Sequence, residues 1–140
     1  MLRNPKLHLT DYCSALLIIL FMYAGLSKFL DYNTFQQQLG LSPLITKQYT
    51  SLVAVFVPFT EILIAIFLLT NKYRKIAFYL SLFILTIFTT YIFMLLDNDF
   101  VPCSCGGILG TINWNTHIWF NIFFILVSII GILKTTDAKK

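Results

Sequence analysis

IAFYLSLFILTIFTTYIFMLL, residues 76–96, holds no charged side chain. Its length matches the roughly 20 apolar residues that an α-helix needs to cross the hydrocarbon core of a bilayer. The apolar positions are continuous rather than alternating, which sets a membrane-spanning strand aside. Working outward, three further runs of the same kind stand at about 13–30, 51–69 and 116–133. The gaps between them are too short for a separate soluble domain. The expected fold is an all-α membrane protein, one four-transmembrane-helix bundle over residues 1–140.

Composition agrees. The 140-residue chain is 58% hydrophobic and 11% charged, where a soluble domain carries roughly 25% charged residues. The formal net charge is +4, but placement matters more than the sum. Arg3 and Lys6 precede the first run, Lys72, Arg74 and Lys75 fill the second gap, and Lys134, Lys139 and Lys140 follow the last run. The gap after residue 96 holds Asp97 and Asp99 and neither Lys nor Arg. By the positive-inside rule both termini are expected in the cytoplasm and the 97–115 gap outside. Lys28 and Lys47 blur the signal for the 31–50 gap, which an even number of spans places outside. The first run lacks a small-x-small cleavage pattern and reads as a retained helix. No motif for reading nucleic acid is present, and the surrounding partner is the lipid bilayer.

That outward gap contains Pro102-Cys103-Ser104-Cys105-Gly106-Gly107. Disulfides form and persist on the non-cytoplasmic side. Three readings are open: a redox-active pair, a structural disulfide or idle thiols, and a metal clip. Zinc asks for four ligands, of which His117 would be a third, while Cu(I) accepts fewer thiolates. The redox reading needs least. A Cys-x-Cys ring is small, strained disulfides are labile, and the glycines free the backbone for a tight turn. Cys13, at the other end of the first run, reads as a small apolar packing residue.

Four further residues stand out as supporting groups. Glu61 lies mid-span, three residues after Pro58, where an ionisable group is costly and faces a bundle interior or cavity. It reads either as a proton relay or quinone contact, or as a buried hydrogen-bonding group that orients its helix. Lys28, near the end of the first run, either snorkels outward or turns inward to Glu61 or an anion. Depth along the spans argues against direct contact. His117 and Asn121 are four apart and share a helix face with Trp114. His117 reads as a base or thiolate partner beside the cysteines, or as part of an interfacial aromatic belt, with the belt reading the stronger. Asn113, Asn115 and Thr116 suit a helix N-cap.

The stretch GLSKFLD at 25–31, Pro58-Phe59-Thr60-Glu61 and the Cys-x-Cys loop before the last helix together make the chain resemble the MauE/DoxX-like family of small membrane proteins. The resemblance spans nearly the whole chain, and the loop is its most specific element. It implies a four-helix membrane protein. MauE-like members are associated with maturation of a disulfide-rich periplasmic enzyme. DoxX/DoxD-like members are linked to sulfur-compound oxidation and quinone reduction. Gly106 stands where the family's C-x-C-F-G form has Phe. Placement of the cysteines just before a last helix also looks like vitamin K epoxide reductase-like proteins, which use C-x-x-C.

The combined expectation is a multi-pass protein of a bacterial inner membrane handling thiol electrons on its periplasmic face. Cys103 and Cys105 would exchange disulfides, supported by Glu61, His117, Lys28 and Asn121. A periplasmic thiol protein would be the donor and a membrane quinone near Glu61 the acceptor. The alternatives are a non-enzymatic subunit or scaffold of a larger complex, and a Cu(I)-handling protein.

Overall fold

The structure, a computed structural model, describes residues 5–97 and 114–137. Among these residues five helices appear in the order α1 (Pro5–Leu30), α2 (Tyr32–Leu41), α3 (Thr50–Leu69), α4 (Arg74–Asp97) and α5 (Trp114–Asp137), with a 3-10 turn at Lys47–Tyr49 leading into α3. The segments Leu9–Leu30, Lys47–Leu69, Arg74–Leu96 and Asn115–Thr136 are each long and apolar enough to cross a bilayer. This is a four-span, all-α membrane protein. The spans pack in a ring, α1 beside α3, α3 beside α4, α4 beside α5, and α5 back against α1.

The expected helix bounds shift at several points. α1 begins at Pro5 rather than near 13. Proline suits a first turn, because its missing N–H has no intrahelical partner there, and the polar residues after it carry the helix beyond the hydrocarbon. α5 begins at Trp114, so Asn115 and Thr116 lie inside its exposed first turn rather than capping it. Asn113 and the whole Pro102–Gly107 motif lie outside the described residues.

The largest departure is α2, in a gap expected to be a plain loop. Tyr32, Phe35 and Leu39 recur at helical spacing, and Phe35 and Leu39 bury themselves against Ala54 of α3. Ser42 ends the helix in an extended conformation, φ −68° and ψ 131°, as the residue before Pro43 must. Its N–H still bonds Leu39 O at 3.2 Å.

Two glycines set how closely spans approach, as small residues do between helices in lipid. A Cβ on Gly25 of α1 would stand 2.8 Å from Ile62 Cγ1 and 3.2 Å from Pro58 O of α3. A Cβ on Gly131 of α5 would overlap the Phe78 ring of α4, itself fully buried. Inside the spans, hydroxyls bond back to their own helix, as in Ser81 Oγ to Ala77 O at 2.7 Å and Ser128 Oγ to Phe124 O at 2.9 Å. In hydrocarbon a polar group has little else to satisfy it. Outside, Ile19, Phe83 and Trp119 are 67%, 62% and 71% exposed, the surface of a bundle whose solvent is lipid.

At the end of the bundle opposite α2, Arg74 reaches from the start of α4 to Asp11 of α1, Nη1 to Oδ1 2.7 Å. Its Nε also donates to Leu68 O of α3 at 3.3 Å. One side chain thus ties three spans together.

Candidate functional site

Gly25 and Pro58 fix the register of α1 on α3, and that register decides what Lys28 meets. Lys28 stands one helical turn beyond Gly25, while Glu61 stands one turn from Pro58 in the opposite sense along the bundle axis. Helix side chains lean towards their own N-terminus. On antiparallel spans the two therefore lean towards each other. Lys28 Nζ lies 2.8 Å from Glu61 Oε1 and 3.0 Å from Oε2. A weaker third bond runs to Ala24 O at 3.4 Å.

This corrects the expectation that depth keeps the two apart. Residue count from the span ends places Lys28 high and Glu61 central, but the Gly25 contact and the long lysine stem close the difference. Lys28 does not snorkel: it is 3% exposed and Glu61 2%. Phe35 of α2 and Phe88 of α4 flank the ammonium, their ring centroids 5.8 and 5.6 Å from Nζ. These distances suit cation–π attraction, which strengthens when the cation is desolvated.

His117 and Asn121 of α5 complete the surroundings. Both are buried, at 7% and 5% exposure, and both line a cavity of about 40 Å³ together with Lys28, Glu61, Phe88 and Phe120. The shared face expected of His117 and Asn121 exists and is turned inward. That corrects the belt reading of His117: its ring faces the bundle interior, whereas neighbouring Trp119 takes the lipid-facing position. The side chain of Trp114 lies outside the described residues. A buried water needs roughly 10–15 Å³ of such volume, so the cavity has room for water and none for an aromatic ring.

The tyrosines divide similarly. Tyr12, Tyr49 and Tyr73 are exposed, but Tyr91 is half-buried and donates to Ser42 Oγ at 2.9 Å, which latches α4 to the end of α2. Cys13 is buried in the core with Leu17 and Phe21. Among the described residues no group of three His, Cys, Asp or Glu gathers to hold a metal ion. Cys103 and Cys105 lie outside those residues, so their relation to His117 does too. Yet the helix ends that bracket them, Asp97 of α4 and Trp114 of α5, are at the α2 end of the bundle, the same end as Lys28.

Two contributors had gone unnoticed in the sequence. Phe88 is one of 14 phenylalanines, and nothing local distinguishes it. Phe35 did carry a signal, its helical spacing from Tyr32 and Leu39.

Residues 6–134 match the family model described as methylamine utilisation protein MauE. The chain belongs to the MauE family. In this MauE-family protein the matched stretch takes in the first three spans, α2, the cysteine pair and all but the end of the last span, so Lys28, Glu61, His117 and Asn121 all fall within it. No curated protein and no solved structure matches the chain.

Proposed function

We propose that this MauE-family protein is a thiol–disulfide exchange protein of a bacterial inner membrane, acting in the maturation of exported proteins. Its termini lie in the cytoplasm and Cys103 and Cys105 face the periplasm. The observation that carries the reading is the buried Lys28–Glu61 pair sharing one cavity with His117 and Asn121, at the end of the bundle from which the cysteine segment departs. A scaffold has no need of a water-sized, ionisable cavity at that place.

An exported protein's two thiols become its disulfide, and the Cys103–Cys105 disulfide becomes two thiols, through a mixed disulfide. Re-forming Cys103–Cys105 releases two electrons and two protons. A membrane quinone, when bound, would accept both and become quinol. The chain's own groups supply the proton handling. Lys28 and Glu61, paired at the cavity, and His117 at the cysteine end are the groups that would relay those protons. Asn121 lines the same cavity. The 40 Å³ cavity serves protons and water, so a quinone ring would stand beside it rather than in it.

The test is a trapped intermediate. We favour Cys103 as the attacking sulfur and Cys105 as the resolving one. Cys105→Ser is then expected to accumulate a reductant-sensitive adduct with an exported protein on non-reducing gels, and Cys103→Ser is not. If neither variant traps a partner and the double variant behaves as wild type, the protein is a scaffold. An adduct with a cytosolic protein would reverse the orientation.

A further inference from the structure

Beside the Lys28–Glu61 cavity lies a larger one of about 160 Å³. Phe35 and Leu39 of α2 roof it, Val53 and Val57 of α3 form one wall, and Phe88 and Ile92 of α4 form the other. No polar atom reaches its surface. The two polar residues beside it are engaged elsewhere: the Lys28 ammonium is turned to Glu61, and the Tyr91 hydroxyl donates to Ser42 Oγ. What they offer the pocket is a stem of methylenes and an aromatic ring. At the mouth, Ile45, Ile87 and Tyr91 also line a surface groove that runs along α4 past Phe83 and Met94. Phe83 and Met94 are exposed and lie within the Arg74–Leu96 span. The groove therefore belongs to the surface that the bundle presents to lipid.

We infer that this pocket holds a length of phospholipid acyl chain, which leaves the bilayer along the α4 groove and enters between Ile45 and Ile87. The lining excludes other contents. A buried water needs two to four polar partners, and this surface supplies none. A headgroup, a carboxylate or a carbonyl would lose its hydrogen bonds on entering. Emptiness is costly too, because a cavity destabilises a protein in proportion to its volume. Hydrocarbon meets none of these penalties, and at the mouth hydrocarbon is the solvent.

An apolar cavity of about 150 Å³ takes one benzene molecule, so this one takes about six carbons of a chain. Acyl chains are the most abundant hydrocarbon in a bilayer, and occupancy follows concentration as well as affinity. The inserted carbons lie against Phe35 and Phe88, the same two rings that flank the Lys28 ammonium. A lipid thus backs the aromatic wall of the ion pair, and the bundle closes around that site only with the bilayer's help. Nothing here depends on the thiol chemistry proposed above.

Photolabelling from the lipid phase tests this. The full-length protein, in nanodiscs of palmitoyl-oleoyl phosphatidylcholine, receives a phosphatidylcholine with a diazirine near the middle of one acyl chain. After irradiation, mass spectrometry is expected to find label on Leu39 and Ile92, which are 8% and 1% exposed, as well as on Phe83 at the lipid-facing surface. A lipid that stays outside reaches only Phe83. Val57→Phe fills the pocket from its α3 wall. It is expected to raise the melting temperature and to cut the label on Leu39 and Ile92 about tenfold, with Phe83 unchanged. Ile87→Trp, at the 48% exposed mouth, is expected to cut the same two labels while keeping the melting temperature. Wild type unlabelled at Leu39 and Ile92, or labels there undiminished in both variants, would overturn the inference. So would loss of those labels on adding squalene at about a tenth of the phospholipid, because the pocket would then select an isoprenoid chain over an acyl chain.

Discussion

Taking an ammonium and a carboxylate out of water costs several kcal/mol per ion, and their attraction offsets this only when geometry is good and other hydrogen bonds are made. Lys28 and Glu61 meet that condition, with two short bonds and two flanking rings. Removing either charge strands the other. Lys28→Met and Glu61→Leu are each expected to destabilise the bundle by about 3–5 kcal/mol, while the double variant loses much less, because an apolar pair of similar volume replaces a buried ion pair at little cost. Unfolding in detergent checks this. A stable double variant that loses the exchange proposed for Cys103 and Cys105 would separate chemistry from structure, whereas one that keeps it would reduce the pair to a device for orienting helices. Part of this site was legible beforehand. Glu61 announces itself as an ionisable group mid-span, and His117 and Asn121 by their spacing. The contact with Lys28 was not, because depth counted from span ends ignores the Gly25–Pro58 register and the reach of a lysine stem.

At the level of elements, Gly25 and Gly131 convert a missing side chain into a helix contact. Gly131→Leu is expected to be severe, since Phe78 is walled in and cannot yield; over-packing a tight core costs about 1–3 kcal/mol or more. Phe78→Ala should restore much of the loss when combined with it. Equal melting temperatures for wild type and Gly131→Leu would mean that α4 and α5 do not approach as described. The same scale explains what the sequence concealed. Four long spans are plain in it because a bilayer demands continuous apolar length. α2 is hidden because half of its ten residues are Asn, Thr or Gln and only Phe35 and Leu39 among them are buried. Neighbouring positions around the ring were equally hidden. The spans are apolar on nearly every side, so no stripe separates lipid-facing from buried surface, and shape complementarity between particular side chains decides the order.

Across the whole molecule, α1 is held at both ends, by Arg74 on Asp11 and by Glu61 on Lys28. Each partner comes from later in the chain, which has a consequence for biogenesis. A chain emerging from its N-terminus presents α1 before either partner has been synthesised. During that interval Lys28 is close enough to the end of its span to keep its ammonium among the lipid headgroups. Arrival of α3 then draws it inward. In a chain truncated to residues 1–49, Lys28 is expected to react with a membrane-impermeant amine-acylating reagent applied from its side, with mass spectrometry distinguishing it from Lys6 and Lys47. In the full-length protein it is expected to be shielded; equal acylation in both would contradict the inward turn. A half-made bundle thus displays a cation at the membrane surface that the finished one withdraws, a mark by which a quality-control protease could tell the two apart.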